Sequence, residues 1–377
     1  MKIINVNMSF DPVSGGGTVE RTFQLSRSLT SKGHECTILT TDVGLTHERK
    51  KSLPGVKIIA LPCMNKRFYV PRVTFSKLKQ IVNNADVIHI MGHWTLLNIM
   101  VARIANHLNI PYVVCPAGAL PIYGRSKILK SIYNFLGGRK LICEAKRLIA
   151  ISPDEFHHFV SYGYFGDSVI IPNGIEPDDY QVEHDIDFKS KYDLSDKPFV
   201  LFLGRLNHIK GPDLLLEAFI NCCTQLYDYH IVFAGPDEGL RKELEDRASD
   251  AGIKDRVHFV GFVGGDLKTA ALHAADLLVI PSRQEAMSIV VLEAGVTTTP
   301  VLITNKCGFD SVSDVDGGLV VDDTIGAIAE GLTVILDSPE KLDSMGKKLH
   351  NYIVDNYLWD KIGDQHIQLY EEVLLQN

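Results

Sequence analysis

The run Phe199-Val200-Leu201-Phe202-Leu203, followed by Gly204-Arg205-Leu206-Asn207-His208-Ile209-Lys210-Gly211-Pro212, reads as a strand, a loop and a helix start. Five consecutive apolar residues suit a strand buried on both faces of a parallel sheet. Pro212 stands where helices favour proline, in the first turn. Outward from this unit the same alternation fills the chain. Strands are expected at 3–7, 36–40, 56–60, 87–91, 112–115, 147–151 and 169–171, then at 199–203, 230–234, 257–260, 277–280 and 301–304. Helical patterns lie between them, for example at 19–31, 95–107, 212–224, 238–251 and 288–296. Such alternation predicts doubly wound α/β architecture. It pauses at 178–197, a polar, acid-rich stretch, and restarts at Phe199. Two Rossmann-like domains in tandem follow, with this stretch as the linker. A last helix is expected over 359–375, with Trp359, Ile362, His366, Leu369, Tyr370 and Val373 on one face.

Composition bounds the classes. The chain has 377 residues, 45% hydrophobic and 22% charged, which fits globular domains with sizeable cores. No apolar run is long enough to span a bilayer. Residues 1–7 read as a strand, not a signal peptide. Seven cysteines without CxxC spacing argue for reduced thiols and a cytoplasmic setting. Residues 1–180 carry a net charge of +8 and the remainder −16. The basic half points to an anionic partner such as lipid head groups, or to an ordinary solvated surface.

Ligands of open parallel sheets bind at the carboxyl ends of strands. There the second half collects Arg205 and Lys210, then Gly235, Gly261, the run Pro281-Ser282-Arg283-Gln284-Glu285, and Cys307-Gly308. Arg205 offers a planar fork and Lys210 a point charge, both suited to phosphate oxygens. In Glu285-Ala286-Met287-Ser288-Ile289-Val290-Val291-Leu292-Glu293 two carboxylates flank a helix start, Glu293 two turns inside. Carboxylates accept from vicinal diols, and the amides of Met287, Ser288 and Ile289 could hold a phosphate. An ordinary dipole-favoured Glu and a solvent-facing Glu remain the plain alternative. In the first half, Gly15-Gly16-Gly17 follows the first strand, either approaching a ligand closely or forming a flexible turn. His89 reads as a core residue; His93, past its strand, either reaches a cleft or is structural. Neither pair spacing nor the Asp185/Asp187 and Asp314/Asp316 pairs make a convincing metal site.

Taken in order, these residues resemble the retaining glycosyltransferases of GT-B architecture, family 4 (group 1), of the bacterial polysaccharide-biosynthesis type. The landmarks are the glycine loop, Gly33-His34-Glu35, His93, Pro172-Asn173-Gly174-Ile175, Gly204-Arg205-Leu206 with Lys210-Gly211, Gly235, Val260-Gly261, Pro281-Ser282, Glu285 with Glu293, and the terminal Trp359 helix. The resemblance implies two Rossmann-like domains facing a central cleft: 1–178 plus 355–377 on the acceptor side, a linker at 179–197, and 198–354 binding the nucleotide sugar. It implies that Arg205 and Lys210 neutralise a UDP- or GDP-type diphosphate as it leaves. Glu285 contacts the transferred sugar and Glu293 the ribose, while Gly235, Met287, Ser288 and Ile289 contribute to the donor site. Gly16 and Gly17 close over the reaction centre and His93 lines the sugar pocket. Catalysis then falls to Glu285, Arg205, Lys210 and His93, with no metal and no cofactor beyond the co-substrate. The pattern departs at Ala286-Met287-Ser288, where the family often has glycines, and at Asp310-Ser311, where a glutamate is lost. Other readings are a sugar-nucleotide epimerase on the same fold and a non-catalytic sugar-nucleotide binder.

For the acceptor, residues 49–79 hold nine Lys/Arg, and 125–147 hold seven against one acid, interleaved with Ile128, Leu129, Ile132, Tyr133, Phe135 and Leu136. The latter reads as an interfacial amphipathic helix. It implies a glycan or lipid-linked acceptor and a cytoplasmic protein peripheral to the inner face of a membrane. No nucleic-acid motif accompanies the basic residues.

Overall fold

The computed structural model describes residues 1–11, 15–122, 126–181, 186–194 and 197–376. The chain divides into two units, Met1–Gly174 with Trp359–Asn377, and Ile175–Leu358. The first holds β1 (Lys2–Val6), β2 (Glu35–Thr41), β3 (Lys57–Leu61), a small antiparallel pair β4 (Cys63–Asn65) and β5 (Val70–Pro71), then β6 (Val87–Met91), β7 (Tyr112–Cys115), β8 (Arg147–Ala150) and β9 (Ser168–Ile170). Its parallel sheet runs β3-β2-β1-β6-β7-β8-β9. The second holds β10 (Phe199–Leu203), β11 (His230–Ala234), β12 (Val257–Gly261), β13 (Leu277–Ile280), β14 (Val301–Thr304) and β15 (Gly318–Val321), ordered β12-β11-β10-β13-β14-β15. Each sheet reverses its strand order once, between β1 and β6 and between β10 and β13. Chain connections leave the two central strands in opposite directions there, and the carboxyl ends of such strands are where open parallel sheets take their ligands.

Burial explains the apolar runs. Every residue of β6, β7, β13 and β14 is buried, as a sheet covered on both faces requires. The second core joins β10 and β11 to Leu215 and Phe219 and to Ile328 and Leu332 on a later helix. The terminal helix Trp359–Leu375 belongs to the first unit and buries Trp359, Ile362, His366, Leu369, Tyr370 and Val373. Its attachment is polar as well as apolar. Ser28 donates to the Trp359 carbonyl at 2.9 Å, and Lys32 pairs with Asp360 and Asp364.

The stretch expected to be a linker is instead part of the second unit. Phe188 is buried and stacks on Phe199 at 5.9 Å, so this segment packs against the first strand of that sheet. The chain passes between units at Gly174 and returns at Trp359. Acidic composition hid this packing because a few apolar anchors, Phe188 and Leu194, secure it. Strand β15 also escaped the sequence reading; it is short and opens on Gly318.

Candidate active site

In the second unit the loops after β10 and β13 meet at the sheet's switch point. Gly211 has φ +72, and a Cβ there would stand 2.0 Å from the Pro281 carbonyl oxygen, so the two loops approach as only glycine allows. Arg283, after β13, fastens them: its backbone N–H donates to the Ile209 carbonyl, and its guanidinium grips both Asp213 oxygens at 2.9 and 2.6 Å. Burial pushes the Asp213 carboxyl up, but the Arg283 contacts outweigh it and the net direction is down.

This clamp brings Lys210 and Glu285 together. Their side chains pair at 2.9 Å, 25% and 10% exposed, and Ser282 Oγ donates to the same Glu285 oxygen at 2.6 Å. Buried carboxylates need such donors. Arg205 does not join them; it pairs at 3.0 Å with Glu238, whose other oxygen takes a bond from Asn207. Burial alone would raise the Glu238 carboxyl, but Asn207 and Arg205 hold it below its ordinary range. Gly235 follows β11 with φ +153, and a Cβ there would collide with the Gly204 carbonyl at 1.8 Å.

The helix after this loop spans Ile289–Val296, so Glu293 lies one turn inside it, not two. Glu293 is buried and its Oε1 accepts from Lys268 Nζ at 2.8 Å and from Tyr180 Oη at 2.9 Å. Of the amides expected to face a phosphate, that of Ser288 is committed to the Cys307 carbonyl at 3.0 Å, which corrects its proposed role. Met287 and Ser288 are both buried, and Ser288 Oγ has no partner although it stands at a helix N-cap position.

In the first unit Gly16 opens the helix Gly16–Ser31 with φ +58, and Gly16 and Gly17 are both exposed. Pro12, Val13 and Ser14 lie outside the described residues. His93 follows β6, and of the two readings left open for it the structure shows a buried ring: it is 1% exposed, ringed by Trp94, Tyr133 and Tyr162 at 4.6, 5.2 and 5.3 Å. Asn134 donates through Nδ2 to Tyr162 Oη, so its Oδ1 accepts from His93 Nε2 at 3.0 Å. Burial lowers the His93 pKa to about 4, leaving the ring neutral at pH 7. His89 is a core residue, 2.7 Å from Tyr370 Oη.

Known proteins share the sequence pattern and the fold that carry this arrangement. Residues 184–351 match the family described as Glycosyl transferases group 1, and residues 15–179 match Glycosyltransferase Family 4. An uncharacterized glycosyltransferase of Methanocaldococcus jannaschii is 26% identical, covering 98% of this chain and 98% of that one. A GDP-mannose-dependent alpha-(1-6)-phosphatidylinositol monomannoside mannosyltransferase of Mycolicibacterium smegmatis is 28% identical over 53% of this chain and 55% of its own length. The structure of Anabaena HepE in complex with UDP and glucose superposes with TM-score 0.79 at 16% identity, over 99% of this chain and 100% of that one. This chain is a GT-B glycosyltransferase.

Within this glycosyltransferase, sequence reasoning singled out Lys210, Glu285 and Glu293 but not the side chains that hold them. Ser282 and Arg283 lay in a quoted stretch without a role. Tyr180 sat in the supposed linker, and Lys268 on a helix, Asp266–Ala274, that no motif marked. Glu238 was taken for a helix start, yet it precedes the helix Arg241–Asp250 and faces Arg205. Among the described residues no cluster of three or more His, Cys, Asp or Glu could hold a metal ion. Asp187 caps a short helix and Asp316 pairs with Lys348, so each is accounted for locally; Asp185 lies outside the described residues.

Proposed function

We propose that this glycosyltransferase moves a sugar from a nucleotide-diphosphate donor to a lipid-linked or polysaccharide acceptor with retention at the anomeric carbon. The observation that carries the reading is the partly buried Lys210–Glu285 pair at the switch point, 2.9 Å apart. Cleavage of the glycosidic bond leaves positive character on the sugar and negative charge on the diphosphate. A fixed ammonium aimed at that charge stabilises the transition state without reorganising. Lys210 supplies it, Arg205 adds a second cation from the same loop, and Glu285 faces the sugar hydroxyls. Glu293 accepts from the ribose diol. His93, buried and neutral, shapes its surroundings by packing and is not assigned a proton transfer. HepE was solved with UDP and glucose, which supports a donor of this class.

The test is donor profiling with UDP-, GDP- and ADP-sugars, following binding and donor consumption. At least one donor binds, Lys210→Ala weakens it and slows turnover, and turnover survives EDTA because protein cations meet the charge. Proton NMR of the product reads the anomeric configuration. Unchanged binding and turnover in Lys210→Ala would remove the reading's foundation.

A specific observation supports the lipid-linked acceptor. The helix Lys127–Tyr133 buries none of its residues. Ile128 and Phe135 are 77% and 90% exposed, with Leu129, Ile132 and Leu136 also exposed. Lys127, Arg139 and Lys140 flank them. Tyr133 anchors the segment by donating to the His93 and Thr95 carbonyls, so the apolar side chains face outward. Apolar bodies among lysines suit an anionic bilayer surface. Among the described residues no helix is long and apolar enough to cross a membrane, so the contact proposed is peripheral. The Mycolicibacterium relative acts on a phosphatidylinositol monomannoside, which supports the same class of acceptor. Flotation with anionic vesicles at low salt checks it; Ile128→Ser with Phe135→Ser abolishes association, and a wild type that stays unbound overturns it.

A further inference from the structure

We infer that Tyr180 and Lys268 are positioning residues that set Glu293 for the ribose of the donor, an inference that rests on the ribose role proposed for Glu293. Glu293 is 8% exposed on its side chain, in a helix whose other buried residues are apolar or small. A carboxylate so placed needs both neutralisation and donors. It receives them on one atom. Lys268 Nζ and Tyr180 Oη both donate to Oε1, at 2.8 and 2.9 Å. Oε2 has no protein partner among the described residues.

The donors are themselves braced. Lys268 Nζ lies 3.4 Å from Tyr180 Oη and 5.2 Å from the centre of its ring, so the cation sits over the aromatic face while it holds the carboxylate. His273, on the same helix as Lys268, donates from Nε2 to the Tyr180 carbonyl at 3.2 Å. These contacts tie the turn Pro177–Tyr180 to the helix Asp266–Ala274 and fix where Tyr180 points.

Two consequences follow for a bound nucleotide. With Oε1 occupied, the carboxylate plane is set and Oε2 presents its lone pairs to a ribose hydroxyl. A diphosphate nearby is also spared the repulsion of an unpaired carboxylate, because Lys268 cancels that charge. Neither residue touches the donor in this scheme; both act through Glu293.

The experiment compares binding of the nucleoside diphosphate with its 2′-deoxy and 3′-deoxy forms by titration calorimetry, using the full chain and the nucleotide that the wild type binds. The wild type favours the ribonucleotide over at least one deoxy form by about tenfold, the scale of one charge-assisted hydrogen bond. In Tyr180→Phe and Lys268→Met the ratio falls to about threefold or less, as expected when an acceptor loses its alignment. Lys268→Arg, which keeps the charge, restores part of it. In turnover assays KM rises in both variants while kcat holds, as for loss of uniform binding. A general packing defect would weaken ribo and deoxy forms alike and leave the ratio unchanged. Folded variants that keep the wild-type ratio overturn the inference while leaving the ribose role of Glu293 standing. A wild type that binds all three forms equally overturns the ribose role, and the inference with it.

Discussion

The two units share one winding and use it differently. In each, strand order reverses beside the first strand, so the loops after β1 and β6, and after β10 and β13, end in corresponding places. The second unit fills that place with charge pairs: Lys210 with Glu285, Arg205 with Glu238, and Lys268 with Glu293 farther along. The first fills it with a neutral buried histidine in an aromatic cage and with exposed glycines. Topology therefore fixes where a site can form, and loop residues decide what chemistry it offers. Polarity is divided accordingly. The first unit keeps His89, His93, His366 and Arg21 inside its core, whereas the second sets Lys210, Glu285 and Arg205 past strand ends and buries one carboxylate, Glu293, in a helix.

Acid should expose this difference most strongly. Burial lowers His89 to about 3 and His93 to about 4, and drives His366 well below its ordinary value, with the Arg21 charge adding to the shift of His89 and His366. These rings are neutral when folded and take up a proton when unfolded below about 6.5, the ordinary histidine value. Unfolding then binds more protons, so the stability they contribute is present above that value and is lost as pH falls toward the folded values. His89 and His93 each contribute roughly 2 kcal/mol of this loss by pH 4.5–5, and His366 adds to it in the same direction. Thermal unfolding at pH 7 and pH 5 checks it. The transition of the first unit moves down most, while the second, whose lowered His230 and His258 are only partly buried, moves less. Equal shifts in both transitions would erase the contrast.

The next effect belongs to chemistry. Lys210→Ala lowers kcat by about 10²- to 10³-fold, the scale of removing one preorganised donor to a developing anion. The thermal transition of the second unit falls as well, because Glu285 keeps only the Ser282 bond, while that of the first unit stays close to wild type. The check is donor consumption under saturating donor. A loss of less than about threefold would shift the electrostatic role to Arg205.

Arg21 sharpens the comparison from the other side. It is 1% exposed, and its donors go to the Pro172 and Ile171 carbonyls at 2.6 and 2.9 Å and to Asn173 Oδ1 at 3.0 Å. His366 Nδ1 donates to the Ile362 carbonyl, so its Nε2 accepts from Arg21 at 3.3 Å. One cation thus ties the helix Gly16–Ser31 to β9's exit and to the terminal helix. Arg21→Met leaves several buried acceptors unsatisfied and destabilises the first unit by about 3 kcal/mol. Nucleotide affinity, which the proposal places in the second unit, does not change. Differential scanning calorimetry and titration of the same preparation separate the two outcomes.

What the sequence disclosed follows from which forces act locally. Strands such as β6, β7, β10, β11, β13 and β14 were legible because burial on both faces demands unbroken apolar runs. The terminal helix was legible from its spacing, though not the unit it joins on residues alone, because Ser28, Lys32 and Arg21 decide that across hundreds of positions. Lys210 and Glu285 stood out as charges at strand ends. Their partners did not: Arg283 meets Asp213, and Tyr180 meets Glu293, only once the sheet order brings distant loops together. His93 stayed ambiguous because a position just past a strand reveals nothing of the aromatic cage that Trp94, Tyr133 and Tyr162 build around it. The acid-rich stretch misled for the reason already visible in Phe188: one buried ring outweighs a polar neighbourhood.

The smallest expected effect tests whether a charge pair in the second unit serves stability or the ligand. Arg205 and Glu238 are 49% and 41% exposed, so their attraction is screened and contributes little to folding. Glu238→Gln should change stability by about 0.5 kcal/mol or less. Yet Glu238 occupies the Arg205 fork that a diphosphate would use, and Asn207 holds its other oxygen in place. Removing its charge therefore leaves Arg205 more available to an anion, and nucleoside-diphosphate affinity rises by roughly two- to threefold at low ionic strength. The gain shrinks as salt is added, because the pair faces solvent. A fall in affinity would mean instead that Glu238 orients Arg205 toward the donor, which would make this exposed pair resemble the buried Lys268–Glu293 arrangement in purpose and narrow the contrast within the second unit to one of burial alone.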